Sequence, residues 1–143
     1  MRPINALFVD DDATVHTIAN CMLPRAGIKV LTAFNSIEAD AILHREKVDV
    51  ILLDVLMPKE DGLAYSERLN KEGNKVPVMI LSALGDSETV SRGIRAGAAE
   101  YIVKPIDLQD LKLRILKLLG IPANTPQPAA APKKSGLLSK LWR

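Results

Sequence analysis

The sequence of 143 residues is poor in several features that define other classes of protein. It has a single cysteine, Cys21, so no disulfide can form within the chain, which favours a reducing compartment. We expect this cysteine to be a small, buried residue of a helix. Aromatic residues make up only 3% of a chain that is 48% hydrophobic, so aliphatic side chains must fill its core. Length and composition together indicate one globular domain.

The sequence also lacks a long apolar run. No segment approaches the ~20 consecutive apolar residues that a membrane-spanning helix needs. The short run from Ile4 to Val9 leads directly into three aspartates, which is not the pattern of a signal peptide. We therefore expect a cytoplasmic protein, with recruitment to a membrane or polar complex by its tail as an open alternative.

The basic residues are unevenly distributed along the chain. Residues 1–120 contain all 17 acidic residues but only 15 of the 19 basic ones, whereas residues 121–143 contain four basic residues and no acid. A nucleic-acid-binding domain would concentrate positive charge on a folded face. The distribution therefore predicts that nucleic acid is not a partner.

Composition divides the chain into three segments. Residues 1–120 are expected to form the folded domain. Residues 121–132 contain four prolines without a period, which predicts a disordered linker rich in proline and alanine. Residues 133–143 combine basic residues with leucines and Trp142, which predicts a basic amphipathic tail peptide. We expect the tail to dock into a protein groove or onto an anionic membrane surface, and a purely solubilising end is the alternative.

Short apolar runs alternate with stretches of helical spacing. Strands are predicted at residues 6–9, 28–33, 48–53, 76–81 and 101–103, and helices at residues 13–26, 36–46, 63–71, 86–96 and 107–119. The partial alternation of the 28–33 strand suits the edge of a sheet. The βα unit repeated five times predicts an α/β fold, a doubly wound five-stranded parallel sheet with flanking helices, (βα)5. The functional site of such a sheet lies at the carboxyl ends of its strands.

Charged and hydroxyl side chains follow four of the predicted strands. They are Asp10-Asp11-Asp12 after the first, Asp54 after the third, Ser82 after the fourth and Lys104 after the fifth. Carboxylates that converge repel one another unless a cation neutralises them, and short oxygen ligands suit Mg²⁺. A metal, a lysine and a hydroxyl around a nucleophilic carboxylate meet the needs of phosphoryl transfer.

These motifs resemble the signature of bacterial response-regulator receiver domains. They are Val9-Asp10-Asp11-Asp12, Asp54-Val55-Leu56-Met57-Pro58 with Asp61-Gly62, Ser82-Ala83, and Tyr101-Ile102-Val103-Lys104-Pro105. The resemblance extends over residues 4 to 119 and involves four separate motifs in the family's order. It implies the flavodoxin-like form of the fold and a phosphoacceptor switch in two-component, phosphorelay signal transduction that is not an enzyme.

The resemblance implies how the phosphoryl group is received. Asp54 would accept it from a sensor histidine kinase or a histidine phosphotransfer protein. Asp11 and Asp54 would bind Mg²⁺, Asp10 would assist through water, and the backbone carbonyl of Leu56 would complete the protein ligands.

The resemblance also implies how the signal leaves the site. Lys104 would pair with the phosphoryl group, Ser82 would move toward it, and Tyr101 would rotate inward and alter the surface. Because no output domain is recognisable, we expect a stand-alone receiver that acts on a downstream protein target. A homodimer that forms on phosphorylation is left open.

Two other functions compete with this interpretation. Residues 7–14 also fit the start of haloacid-dehalogenase-like phosphatases, in which Asp10 would be the nucleophile. That alternative leaves the Asp54 motif unexplained and offers only Asp107 and Asp110 as the late acidic pair of that family. The second alternative is a binding module that acts independently of phosphorylation, which nothing in the acceptor residues supports.

Several further residues are expected to be structural. His16 and His44 have no partner at metal-ligand spacing and should be solvated helix residues. Asp61-Gly62 should form a turn and begin a helix. Gly93 lies inside a predicted helix, where a glycine costs about 1 kcal/mol of helix propensity.

Overall fold

A computed structural model describes residues 3–122 of the chain. Most of the expected linker at 121–132 and all of the expected tail at 133–143 lie outside the described residues. The chain divides into two compact units between Lys104 and Pro105. The first unit contains the sheet and the first four α-helices, and the described part of the second contains the last helix.

All ten predicted strands and helices are present. The strands are β1 (Ile4–Val9), β2 (Ile28–Ala33), β3 (Val50–Leu53), β4 (Val78–Ser82) and β5 (Glu100–Val103). The helices are α1 (Ala13–Met22), α2 (Ser36–Arg45), α3 (Gly62–Lys71), α4 (Ser87–Arg95) and α5 (Leu108–Leu118). The helix predicted at 13–26 ends early, and a 3-10 turn at Leu23–Ala26 follows it because Pro24 has no N–H to donate. Within residues 3–122, no helix is long and apolar enough to cross a membrane.

The five strands form one parallel sheet in the order β2-β1-β3-β4-β5. β2 lies at an edge, as its partial alternation predicted. The order reverses at β1, whose two neighbours are β2 and β3, and the crevice at such a reversal is where sheets of this kind bind ligands. The predicted fold class, a doubly wound five-stranded parallel sheet of the flavodoxin-like (βα)5 type, is confirmed.

The core of the first unit lies between one face of the sheet and helices α2 and α3. Its members from the strands include Leu7, Val9, Ile51, Leu53, Val78 and Ile80, and those from the helices include Ala39, Ile42, Leu63, Tyr65 and Leu69. The alternate strand residues Ala6, Phe8, Val50, Leu52 and Met79 are no more than 2% exposed. The central strands are therefore buried on both faces, which explains why they appear in the sequence as continuous apolar runs.

The expectation that Cys21 is buried is wrong, because this cysteine is exposed. The buried face that begins in α1 runs instead through His16, Ala19 and Leu23, at positions i, i+3 and i+7. Cys21 lies between these positions in sequence and points away from their stripe.

Candidate functional site

The first and third strands are neighbours, and acidic residues follow both. Val9 of β1 pairs with Leu53 of β3, so Asp10 and Asp54 leave the sheet side by side. The Asp54 N–H donates to the Val9 carbonyl at 2.9 Å, and the Asp10 N–H donates to the Ala33 carbonyl at 3.1 Å. The sheet itself therefore fixes the backbone of both aspartates.

Asp10, Asp11 and Asp54 form the acidic site of the protein. One carboxylate oxygen from each residue lies within 4.8 Å of the corresponding oxygens of the other two. Asp10 is 3% exposed and Asp54 is 9% exposed, whereas Asp11 is exposed to solvent. Carboxylates at this separation repel one another, and burial strengthens the repulsion.

The charge state of Asp54 reflects this environment. Burial is the main cause that raises the pKa of Asp54 from 3.8 to about 6. The Lys104 ammonium and the N–H of Val55 lower this pKa, and the carboxylates of Asp10 and Asp11 raise it. The acidic site thus holds more negative charge than the surrounding residues neutralise.

Asp10 is hydrogen-bonded at both carboxylate oxygens. Its Oδ2 accepts from Lys104 Nζ at 3.0 Å, and its Oδ1 accepts from the N–H of Asp12 at 2.9 Å. Asp12 itself caps α1, because its Oδ1 accepts from the N–H of Thr14. Two donors on Asp10 weaken it as a nucleophile, which disfavours the phosphatase alternative.

His16 contacts the backbone of Asp10, and the expectation that it is solvated is wrong. It is 5% exposed, its Nε2 lies 2.7 Å from the Asp10 carbonyl, and its ring packs edge-on against Phe34 at 4.8 Å. A carbonyl only accepts, so Nε2 carries the proton. The signal available in the sequence was the i, i+3 spacing of His16 with Ala19. His44 is exposed, as expected.

The turn between β3 and α3 places the backbone of Gly62 directly against the backbone of Asp54. The Gly62 N–H donates to the Val55 carbonyl at 2.8 Å, and Asp61 caps α3 by accepting from the N–H of Ala64. A Cβ on Gly62 would lie 2.0 Å from the Asp54 carbonyl oxygen. The expectation that Asp61-Gly62 forms a turn and begins a helix is therefore confirmed.

Ser82 and Tyr101 are linked through one residue of the loop after β4. Ser82 is fully buried, and its Oγ accepts from the N–H of Leu84 at 3.2 Å. The Tyr101 hydroxyl donates to the Leu84 carbonyl at 2.5 Å. The Lys104 N–H donates to the Ser82 carbonyl at 2.8 Å, which holds the lysine next to the acidic site.

The structure brings most of the predicted site residues together. Asp10, Asp11 and Asp54 share the acidic site, with Lys104 bonded to one of them. The Leu56 side chain is 58% exposed, and its predicted metal-binding group is the backbone carbonyl, so that role stays a prediction. Three carboxylates and a raised Asp54 pKa fit a hard divalent cation, because oxygen donors in excess of positive charge are what Mg²⁺ prefers.

A second charged cluster, which the sequence did not reveal, lies on α2, α3 and the turn before α3. This Arg68 cluster consists of Arg68, Glu60, Asp40 and Tyr65. Arg68 donates two hydrogen bonds of 2.9 and 3.1 Å to Glu60 and one of 3.0 Å to Asp40. It donates a longer one, of 3.5 Å, to Glu72 one turn along α3. The Tyr65 hydroxyl donates to Asp40 at 2.9 Å, and the guanidinium lies 4.9 Å from the Tyr65 ring centre. No local spacing in the sequence connects α2 to α3, so no sequence signal predicted this cluster.

Solved structures with the same fold include two informative neighbours. A response regulator receiver domain from Francisella is 31% identical, with a TM-score of 0.77 over 82% of this chain and 97% of its own. The receiver domain of a sensor histidine kinase from Pseudomonas aeruginosa PAO1 is 25% identical, with a TM-score of 0.74 over 82% of this chain and 98% of its own. The latter structure has a magnesium ion coordinated in the active site cleft.

Curated relatives include transcriptional regulators of algae and cyanobacteria. The probable transcriptional regulator ycf27 of Guillardia theta is 38% identical over 113 residues, which cover 79% of this chain and 44% of the relative. RpaA of Synechocystis, a DNA-binding dual master transcriptional regulator, is 32% identical over 125 residues, 86% of this chain and 52% of the relative. The chain thus spans about half the length of these relatives.

The prediction that excluded nucleic acid as a partner is wrong, because RpaA is a DNA-binding protein. The prediction used the charge distribution of this chain, which corresponds to about half of RpaA. The charge of a shared segment carries no information on what the remaining half of such a relative binds.

The family profile agrees with the fold and the site. The response regulator receiver domain matches residues 6–116, which include the acidic site, Ser82, Tyr101 and Lys104. Receiver domains of response regulators are signalling switches of two-component systems rather than enzymes. From the profile match, the parallel sheet and the acidic site, the chain belongs to the response regulator receiver domain family.

Proposed function

We propose that Asp54 accepts a phosphoryl group from the phosphohistidine of a sensor histidine kinase or phosphotransfer protein. The observation that carries the proposal is the acidic site, where a buried carboxylate with a raised pKa lies beside two further carboxylates and a lysine. Above a pH of about 6 Asp54 is ionised and poorly solvated, as a nucleophile must be. Asp10 has both of its oxygens hydrogen-bonded, which favours Asp54 as the acceptor.

The acidic site would hold Mg²⁺ through Asp11 and Asp54, with Asp10 assisting and the Leu56 carbonyl as a backbone ligand. The hard oxygen donors support this assignment, as does the magnesium ion in the cleft of the Pseudomonas receiver domain. When bound, such an ion neutralises negative charge on the phosphoryl oxygens.

The chain's own residues would then perform the transfer. An Asp54 carboxylate oxygen forms the new bond to phosphorus while the bond from phosphorus to the donor imidazole nitrogen breaks, and that nitrogen keeps the electron pair. The Lys104 ammonium already lowers the Asp54 pKa, so it lies close enough to attract a phosphoryl oxygen. It would exchange its ion pair with Asp10 for that contact.

The contacts of Leu84 suggest how the transfer would reach the surface. Turning Ser82 toward the phosphoryl group breaks its hydrogen bond with the Leu84 N–H. The carbonyl of that same residue holds the Tyr101 hydroxyl. Movement of Ser82 would therefore alter the loop that positions Tyr101, which lies half-buried on β5.

Intact-mass spectrometry after incubation with acetyl phosphate and Mg²⁺ tests the proposal. We expect one added phosphoryl group in the wild type that requires Mg²⁺ and is absent from Asp54→Asn. Asp110→Asn is the matched control, because this exposed carboxylate pairs with Arg114 one turn along its own helix and should leave the yield unchanged.

Two results would contradict the proposal. An adduct that persists in Asp54→Asn would place the acceptor elsewhere. Release of inorganic phosphate that depends on Asp10 and not on Asp54 would support the phosphatase alternative instead.

A further inference from the structure

Gly93 lies in the middle of α4, where a glycine weakens the helix. It is the buried residue of that helix, and its surroundings explain why it has no side chain. A Cβ built at this position would lie 2.7 Å from Cδ2 and 3.0 Å from Cε2 of Tyr101, and 3.1 Å from Cδ1 of Ile80. The Tyr101 ring thus occupies the space that a side chain at Gly93 would need.

The same ring is bound at its other end to the loop that follows Ser82. Its hydroxyl donates to the Leu84 carbonyl, and the Leu84 N–H donates to Ser82 Oγ. Tyr101 therefore bridges two features, the bare backbone of α4 at Gly93 and a residue bonded to Ser82. Loss of either contact leaves the ring without one of its two supports.

We propose that Gly93 is the positioning residue that admits Tyr101 to its inward place beneath α4 and so determines how the surface responds to Asp54. This inference rests on the proposed function for its regulatory meaning. A methyl group at Gly93 displaces the ring toward solvent and breaks its bond to the Leu84 carbonyl. Asp54 then still accepts the phosphoryl group, but a movement of Ser82 no longer changes the position of the Tyr101 ring.

A double-mutant cycle distinguishes this role from simple close packing of the helix. Gly93→Ala in the wild type should lower the midpoint of thermal unfolding by roughly 5 °C, because the ring is expelled. In a Tyr101→Ala background the same change should raise the midpoint, since alanine favours the helix and its methyl group meets only the flexible end of Ile80 among the neighbours named above. Ser91→Ala, at an exposed position of the same helix, should shift the midpoint by the same small amount in both backgrounds.

A second measurement reports the ring directly. Fluorotyrosine labels Tyr65 and Tyr101, the two tyrosines of the chain, and the fully buried Tyr65 serves as an internal reference. In Gly93→Ala the ¹⁹F signal of Tyr101 should become sensitive to solvent while that of Tyr65 stays unchanged. In the wild type, acetyl phosphate with Mg²⁺ should shift the Tyr101 signal, and in Gly93→Ala this shift should be lost although the mass adduct at Asp54 persists.

The outcomes separate this inference from the proposed function. If Gly93→Ala lowers the midpoint equally in both backgrounds and Tyr101 stays protected, Gly93 serves packing alone and the inference is wrong, whatever happens at Asp54. If the wild type takes up no phosphoryl group, the proposed function is wrong. The double-mutant cycle still tests whether Gly93 positions the Tyr101 ring. Should Gly93→Ala not fold, recovery of folding in the double variant supports the inference, and failure of both variants contradicts it.

Discussion

The Arg68 cluster and the acidic site, both in the first unit, differ in how well the carboxylate charge is stabilised. In the Arg68 cluster one guanidinium is bonded to the carboxylates of Glu60, Asp40 and Glu72. The hydrogen bond to Arg68 lowers the pKa of Glu60. In the acidic site three carboxylates converge and the ammonium of Lys104 bonds one of them, Asp10. Burial raises the pKa of Asp54 to about 6. The first cluster stabilises its own charges, and the second leaves a charge poorly stabilised.

The contrast separates a structural cluster from a functional one. Groups that stabilise each other's charge hold elements together and need no ligand. A cluster with a buried, poorly solvated charge lowers stability until a ligand neutralises that charge, so its energetic cost is evidence of function. Both clusters contact the turn of residues 55–61, because Asp54 precedes this turn and Glu60 lies within it. Substitutions in or beside the turn therefore test the contrast.

Gly62→Ala should have the largest effect on stability. The new methyl group would lie 2.0 Å from the carbonyl oxygen and 2.8 Å from the carbonyl carbon of Asp54. These backbone atoms directly follow β3, and the N–H of Asp54 is bonded to β1, so they have little freedom to move. We expect a loss of about 3 kcal/mol or more in the free energy of unfolding, measured by urea denaturation.

Gly27→Ala is the control for this substitution. Gly27 has φ +79° and no atom within 4 Å of a built Cβ, so alanine there meets backbone strain without a clash. Its cost should be about 1 kcal/mol. Equal costs at the two glycines would show that the turn can move away from Asp54, against the geometry described above.

Asp54→Asn should stabilise the protein in the absence of Mg²⁺. Because the folded pKa of about 6 exceeds the ordinary 3.8, the buried carboxyl group binds its proton more tightly in the folded state. Its contribution to stability is therefore present below pH 3.8 and is lost as the pH rises through 6. At pH 7.5 the amide should raise the free energy of unfolding by about 2 kcal/mol, and at pH 3.5 it should change little.

The same urea titrations with Mg²⁺ provide the check on this result. The cation should stabilise the wild type at pH 7.5 and have a smaller effect on Asp54→Asn, because the variant lacks one of the carboxylates proposed to bind it. A variant that is less stable than the wild type at pH 7.5 would mean that the Asp54 charge is already neutralised within the protein, and the contrast between the clusters would disappear.

Glu60→Gln should lower the free energy of unfolding at neutral pH, whereas Asp54→Asn should raise it. The pKa of Glu60 is lowered, first by its hydrogen bond with Arg68, so its carboxylate stabilises the fold above the ordinary value of 4.5. That contribution is lost as the pH falls through the lowered folded pKa. With side chains 25% and 34% exposed, the pair should contribute about 1 kcal/mol at pH 7, measured by urea denaturation.

Glu67→Gln, on the helix that carries Arg68, is the control. Glu67 is 59% exposed and pairs with Lys71 one turn away, so its loss should cost no more than about 0.3 kcal/mol at any pH. If Glu60→Gln and Glu67→Gln lower the free energy of unfolding equally, the contacts of Arg68 are worth no more than an ordinary surface ion pair and do not stabilise the turn.

The fold and the main acidic residues could be predicted because their signals are local. Apolar runs give the strands, the residue after each run marks its carboxyl end, and parallel strands bring those ends together. Asp10, Asp11 and Asp54 were found in this way, and the structure places their oxygens within 4.8 Å. Local patterning also predicted that β2 lies at an edge.

The missed features depend on contacts between distant residues. His16 resembles a solvated helix residue until the Asp10 carbonyl is known to lie against it. From the sequence, Gly93 only weakens its helix, and the structure shows that the Tyr101 ring occupies the space that a side chain there would need. In each case the explanation is a neighbour that sequence spacing does not reveal.

Lys59→Gly should have the smallest effect and tests whether the turn itself is strained. Lys59 has φ +72°, a left-handed conformation that costs a lysine about 1 kcal/mol and a glycine nothing. Glycine also loses more entropy on folding, so we expect a net gain of about 0.5 kcal/mol by urea denaturation. Lys75→Gly is the control, because this exposed lysine has no positive φ, and glycine there should destabilise by a similar amount. The phosphoryl yield at Asp54 should be unchanged in both variants. A lower yield in Lys59→Gly alone would mean that the left-handed backbone at this position is needed for phosphoryl transfer to Asp54 and is not merely part of the connection between β3 and α3.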